Sequence, residues 1–243
     1  MSVSSKQTTW SSSAMPPISM CGETVGKEAL HVLTGIDSNG YKEVLDFGLF
    51  FNESSAAYRE MLRSLQSRGL EQALLFVSDG LVGLPEAVTD IFPKAKHQSC
   101  WTHLIHNSLL RVRGKDKEDV ASDLKRVYKA ENPAEEERKL DEFVRKWGKT
   151  YTKLATIFKR RDNLFSFMAF LEQFRFSLYT NNLAERLNKS LKRTTKVKEK
   201  FPKEDAQERC VCNHFMAYNA KAETRRHRGY AAVHYELGAM LHA

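Results

Sequence analysis

The stretch Ala73-Leu74-Leu75-Phe76-Val77-Ser78-Asp79-Gly80 decides the fold class. Its apolar residues follow one another without alternation, so a strand built from them is covered on both faces, as strands of parallel sheets are. A helical pattern ends before it at Gly69, and Pro85 opens another after it. Parallel strands need helical crossovers, so the region reads as α/β. Upstream, two apolar runs at 29–36 and 44–50 flank Ser38-Asn39-Gly40 and predict a β-hairpin. Leu30, Val32 and Ile36 should lie on one face of its first strand, with His31 and Leu33 on the other. Between hairpin and buried strand, Tyr58, Met61, Leu62 and Leu65 recur at helical spacing. Downstream, residues 95–100 predict a further strand, and a helix follows from about Trp101.

The rest of the chain reads as helical. Helices are expected over about 117–130, 133–147, 151–160, 183–194 and 203–218. Asn132, Pro133 and Glu135 supply an N-cap, a first-turn proline and capping-box spacing. Leu183, Leu187 and Leu191 form an inward stripe. The first 17 residues are rich in Ser, Thr and Pro, have no hydrophobic period, and read as a mobile tail. The organisation expected is a tail over 1–23, an α/β part over 24–110, an all-α insertion over 111–176, and a return to the first domain over 177–243.

Composition narrows the function. Of 243 residues, 42% are hydrophobic, enough for a real core and too many for wholesale disorder. No apolar run approaches the roughly 18 residues of a membrane span, and no export signal opens the chain. Four cysteines without a disulfide framework fit a reducing cytosol. The formal charge of +8 points to an anionic partner, nucleic acid first. There is no Gly-rich phosphate loop and no G-x-S-x-G, which argues against a nucleoside triphosphatase or an α/β-hydrolase.

Asp79 stands at the C-terminal end of the buried strand, where open α/β sheets place ligands; the competing reading is a turn aspartate before Gly80. Asn182-x-x-Glu185 matches a capping box. Yet Glu185, Asn188, Lys189 and Lys192 also share the helix face opposite the leucines. From Arg186 to Lys203 there are eight basic residues, Lys196 among them, against one acid, Glu199. Such a face suits a phosphate backbone, and Arg186, Asn188, Lys189, Lys192, Arg193 and Lys196 are its expected DNA contacts. Cys100-x-x-His103 offers two metal ligands where a structural zinc site needs four, so a structural pair is the better reading. Cys210, Cys212 and His214 should splay around a helix.

Three motifs now stand in order: Val77-Ser78-Asp79-Gly80-Leu81-x-Gly83-Leu84-Pro85-Glu86-Ala87, then Phe92-Pro93-x-Ala95-x-x-Gln98-x-Cys100-x-x-His103-Leu104-Ile105-x-Asn107, then Tyr179-Thr180-x-Asn182-x-x-Glu185-Arg186-x-Asn188. Together they resemble the Mutator-type transposases of bacterial insertion sequences. That resemblance implies a ribonuclease H-like mixed sheet with flanking helices, interrupted by the all-α insertion. It also implies an Asp-Asp-Glu triad holding two Mg²⁺ ions, with Mn²⁺ able to substitute. Asp79 matches the second Asp and Glu185 the Glu, as catalytic and metal-binding residues; Cys100 and His103 match a C-x-x-H signature near the site. The implied partners are transposon ends, target DNA and further copies of the chain or an intact transposase. The implied location is the bacterial cytoplasm, at the nucleoid.

One departure is serious. Ala14 stands where the family's first Asp would fall, no Asp precedes Asp37, and Pro16-Pro17 should interrupt a central strand. The sequence is thus expected to be an N-terminally truncated or decayed transposase that neither cuts nor joins DNA. The alternative is a catalytically dead DNA-binding or oligomerising fragment that regulates an intact copy.

Overall fold

The computed structural model describes residues 14–15, 18–25, 28–50, 54–159, 161–175, 178, 182–196, 204–221, 224, 226–227 and 229–242, with the backbone course alone for 14–15, 18–25, 28–29, 49, 182–185, 195–196, 204–205, 207 and 242. Five strands make the main sheet: β2 (Ile18–Val25), β3 (Glu28–Ile36), β4 (Lys42–Phe50), β6 (Leu75–Ser78) and β7 (Lys96–Ser99), in the order β4-β3-β2-β6-β7. The pairs β4–β3 and β3–β2 are antiparallel, and β2–β6 and β6–β7 are parallel. A short parallel pair, β1 (Ala14–Met15) with β5 (Gln72–Ala73), is a separate two-stranded ladder in the same register as β2–β6. The fold class is therefore mixed α/β.

The expected hairpin and both later strands share this sheet, while the tail reading needs correction at 14–15 and 18–23, which are strand; residues 1–13 lie outside the described residues. Residues 18–25 form the central strand, hydrogen-bonded to β3 on one side and β6 on the other. The pairings Ala14↔Gln72 and Met15↔Ala73 continue in the same register as Ile18↔Phe76, so the parallel ladder is broken between Met15 and Ile18, where the sequence places Pro16-Pro17, as expected.

The alternation expected for β3 holds. Leu30 and Val32 pack with Val44, Leu187, Leu191, Val211 and Phe215, while Leu33 faces Tyr58 and Leu62 across the sheet. On β4 the register slips between the pairs Leu33–Asp46 and Thr34–Val44, leaving Leu45 as the extra residue of a bulge. At the hairpin turn Gly40 has φ +86°, and a Cβ there would fall 2.5 Å from the Tyr230 ring. Tyr230 holds the turn in return, donating its hydroxyl to the Ser38 carbonyl at 2.8 Å.

Helices cover both sheet faces. On one lie α1 (Ser55–Ser67), capped where the Ser54 hydroxyl accepts from the Ala57 amide, and α2 (Leu84–Ile91). On the other, α3 (Trp101–Leu109), α4 (Lys117–Tyr128), α5 (Pro133–Trp147), α6 (Thr152–Ile157) and α7 (Glu172–Arg175) gather around Trp101, Leu124, Leu140, Phe143 and Phe158, which share a core with Leu75 and Val77 of β6. As the spacing predicts, the Asn132 side chain caps α5 by accepting from the Glu135 amide at 2.9 Å. The chain then returns through α8 (Asn182–Lys196) and α9 (Glu204–Asn219) onto the sheet face opposite α1, and ends in α10 (His234–His242).

The buried side chain of Gln98 fastens the segment 164–167 to β7. Its amide nitrogen donates to the carbonyls of Leu164 (2.7 Å) and Ser99 (2.8 Å), and its oxygen accepts from the Phe167 amide (3.0 Å). The Trp101 indole donates to the same Leu164 carbonyl. A Gln98→Leu variant keeps the volume but strands the Phe167 amide, so urea denaturation should show a loss of about 2–4 kcal/mol, the cost of one or two unsatisfied buried groups. A loss below the error of the measurement would mean that water replaces the side chain.

Glu136 on α5 is 0% exposed, and neither carboxyl oxygen has a hydrogen-bond partner among the described residues. The Arg175 guanidinium is committed to the carbonyls of Phe170 and Met168, and Lys139 pairs with Glu135. Burial therefore outweighs both cations and pushes the Glu136 carboxyl up to about 8. The sign for stability follows. Above the ordinary value of 4.5 the unfolded group is ionised while the folded one keeps its proton, so stability falls with rising pH until the folded group ionises near 8. Glu136→Gln, neutral at every pH, should melt higher than the parent by a margin that widens from pH 5 to pH 8. A constant margin would show an ordinary carboxyl.

Candidate active site

Two parallel strands end side by side at the C-terminal edge of the sheet. The Ser78 carbonyl, at the end of β6, accepts from the Cys100 amide just past β7 at 2.7 Å. The Ser78 hydroxyl meets His97 Nε2 at 2.9 Å, inside the protein. Burial pulls the His97 imidazole down to about 4, against the smaller opposing effects of the neighbouring Asn163 side chain and the Glu86 charge. His97 thus stays neutral and braces the residue before Asp79.

Asp79 follows directly, its side chain 11% exposed, and Gly80 turns the chain away with φ +88°. The turn reading of Asp79 and the site reading share this geometry, since the carboxylate opens toward α3. Cys100 is the N-cap residue of that helix, and its Sγ lies 3.2 Å from His103 Nδ1. The structural pair expected of the C-x-x-H spacing is thus present, with Cys100 buried. His103 also does what the spacing did not reveal: its Nε2 stands 3.9 Å from Asp79 Oδ2, and its side chain is 30% exposed. The signal was available, because a helix starting at the end of β7 must project its first turn over the end of β6.

Glu185 lies in the first turn of α8, and its carboxylate, like the Lys196 ammonium, is outside the described side chains. The α8 helix packs on β2 and β3, with Leu187 and Leu191 in the core. Arg186, Lys189, Lys192 and Arg193 are exposed as expected. Asn188 is a correction. At 7% exposure it faces inward with Leu187 and Leu191, because the buried stripe of a surface helix is wider than one row of leucines. A basic residue that the sequence reading missed joins this face from the sheet. Lys42 of β4 has its ammonium held below the ordinary value by burial and then by the Arg186 charge.

The other early acids are used structurally. Asp37 Oδ1 accepts from the amides of Asn39 (2.9 Å) and Tyr41 (2.7 Å), closing the hairpin turn. Asp46 pairs with Arg68 at 2.8 Å. The central strand β2 contains no Asp, and its one carboxylic residue is Glu23. Among the described residues no group of three or more His, Cys, Asp or Glu gathers as a metal cluster. Asp79 and His103 form a pair, one hard oxygen donor beside one nitrogen donor. On α9, Cys210 and His214 stand at i and i+4 on one face with Cys212 turned away from them, so only two of the three are neighbours, and the His214 ring meets the Thr194 hydroxyl at 3.4 Å. No helix among the described residues is long and apolar enough to cross a membrane.

Comparison with known proteins agrees with the motifs. The family model for Mutator-family transposases matches residues 18–222. The chain is 37% identical over 207 residues to the transposase for insertion sequence element IS905 of Lactococcus lactis subsp. lactis, covering 85% of this chain and 53% of that protein. It is 35% identical over 197 residues to the IS1201 transposase of Lactobacillus helveticus, covering 81% and 53%. It is 31% identical over 201 residues to the ISRM3 transposase of Rhizobium meliloti, covering 82% and 50%. The chain spans about half the length of these curated relatives. With the match running from the central strand β2 to beyond α9, the chain belongs to the Mutator family of transposases.

Proposed function

We propose that the chain is the catalytic-domain portion of an insertion-sequence transposase, that it holds DNA through α8, and that it does not cut or join DNA at a useful rate. The sheet order β4-β3-β2-β6-β7, three antiparallel strands followed by two parallel ones, supports a ribonuclease H-like domain. In that arrangement Asp79 and Glu185 are the second and third acids of an Asp-Asp-Glu site, and the adjacent central strand supplies the first. The absence of Asp from β1, where Ala14 stands, and from β2 is the observation that carries the proposed inactivity.

Two divalent cations in such a site supply charge stabilisation at the attacking and leaving oxygens of a phosphodiester. Asp79 and Glu185 are the residues of this chain that would hold them, and Mg²⁺ binding by few carboxylates is sensitive to the loss of one. The exposed ammonium and guanidinium groups of Arg186, Lys189, Lys192 and Arg193 bind the phosphate backbone whether or not the acids are complete. A chain of this kind occupies DNA without processing it. That supports the second reading, a fragment that regulates an intact transposase by competing for DNA or joining its assembly.

Binding should be salt-sensitive and largely independent of sequence, with log K falling against log salt at about −0.9 per phosphate neutralised. Fluorescence anisotropy on Lys189→Glu/Lys192→Glu should show weaker binding and a slope shallower by about two. Unchanged binding at low salt would place the DNA surface elsewhere. In a nicking and strand-transfer assay on supercoiled plasmid carrying transposon ends, no product is expected in Mg²⁺ or Mn²⁺. Cleavage that disappears in Asp79→Ala or Glu185→Ala would show a complete site and overturn the inactivity.

A further inference from the structure

We infer that Lys42 and Arg186 form a two-armed seat for a single phosphate of the DNA backbone. The inference rests on the proposed holding of DNA through α8, and it adds one fixed contact point to a row of exposed charges. Sheet register places the two cations together. Lys42 opens β4 two residues before Val44, and so lies on the same sheet face. Val44 shares a core with Leu187 of α8, and Arg186 immediately precedes Leu187.

The charge balance is the second observation. Burial and then the Arg186 charge hold the half-buried Lys42 ammonium below its ordinary value, and among the described residues no carboxylate pairs with either cation. Glu43 comes next in the chain, but successive strand residues point to opposite faces. Its carboxyl is pushed up to about 7 by burial and then by Asp37. Asp37 closes the hairpin turn by accepting from the amides of Asn39 and Tyr41, and Asp46 pairs with Arg68. Two like charges side by side, one of them half-buried, destabilise the folded protein until an anion lies between them.

The third observation is rigidity. Lys42 pairs with Ile36 of β3, and two residues further on the Asn219 side chain clasps β4. That amide accepts from the Val44 N–H at 2.9 Å and donates to the Val44 carbonyl at 2.8 Å. Lys189, Lys192 and Arg193 are long side chains on the exposed side of a helix and can follow a phosphate wherever it lies. Lys42 stands on a fixed strand, so the phosphate must come to it. The seat continues directly into the basic row of α8, which suits an anion that is itself one of a row, as a phosphodiester is.

Lys42→Met keeps the aliphatic stem and removes the charge. In thermal denaturation it should melt higher than the parent, because an unpaired half-buried cation is gone, yet in fluorescence anisotropy it should bind a short DNA duplex several-fold more weakly. A purely structural role would lower both. Because the two cations share one phosphate, Lys42→Met/Arg186→Met should flatten the salt slope by about 0.9, the increment for one phosphate, whereas Lys189→Met/Lys192→Met should flatten it by about 1.8. A change of about 1.8 in the Lys42/Arg186 pair would mean two separate contacts and overturn the shared seat. Lys42→Met that melts no higher than the parent, or that binds DNA as the parent does while Lys189→Met/Lys192→Met weakens binding, would overturn the seat and leave α8 as the DNA surface. Binding indifferent to both double variants would overturn the seat together with the reading beneath it. Inorganic phosphate that raises the melting temperature of the parent but not of Lys42→Met, with DNA binding unchanged by the substitution, would assign the seat to a free anion and overturn the DNA contact.

Discussion

The placement of Asp79 depends on β6 being held from both sides by parallel partners. Four residues of strand are marginal on their own, yet Leu75, Phe76, Val77 and Ser78 are each at most 1% exposed. Parallel neighbours cannot be joined by a tight turn, so the chain must leave each strand at the same edge and cross back over the sheet. The C-terminal ends of β6 and β7 are thereby brought together, and the 2.7 Å bond from the Cys100 amide to the Ser78 carbonyl fixes their spacing. Everything that follows Ser78 and Cys100 in the chain inherits that spacing. Asp79 and His103, 24 positions apart in sequence, come within 3.9 Å because of it.

Covering β6 on both faces creates a second requirement. Phe76 enters the core beneath α1 and α2, while Leu75 and Val77 enter the core around Trp101 and Phe158 on the other face. Polar side chains at the strand ends then have no water to turn to and must find partners inside. Ser78 finds His97, and Gln98 finds Ser99, Leu164 and Phe167. These bonds are directional where the hydrophobic contacts are not. They set the position of the segment 164–167 on the sheet, which apolar packing alone would leave loose. A neutral His97 suits this role, because a buried imidazolium would need a counter-charge beside it.

Much of this was legible from residue order. The unbroken apolar run at 73–77, the alternation in β3 and the Asn132 cap are local signals, each decided within a few residues. The central strand was not legible. Ile18-Ser19-Met20-Cys21-Gly22-Glu23-Thr24-Val25 carries a glycine, two hydroxyl residues and an acid, and its strand character comes from hydrogen bonds to β3 and β6 rather than from its own pattern. Asn188 was misplaced for a different reason. Residues 187, 188 and 191 all fall within the buried arc of α8, and a reading that follows leucines alone makes the arc too narrow. At the site, the Cys100–His103 pair was visible as a spacing, but the approach of His103 to Asp79 is a property of the parallel strand ends and appears in no local window.

The two halves of the proposed activity draw on different physics, and this makes them separable. Holding DNA is a sum of exposed charges, and counterion release asks for number and placement rather than exact geometry. Arg186, Lys189, Lys192 and Arg193 provide these on one helix, and Lys42 continues the charge onto the sheet. Cleavage asks for acids converging on two cations about 4 Å apart, where a single missing carboxylate is not compensated by neighbours. A change in β2 can therefore remove the second property while the first survives, because the basic face of α8 is supported by Leu187 and Leu191 against β3 and does not rest on any acid of the central strand.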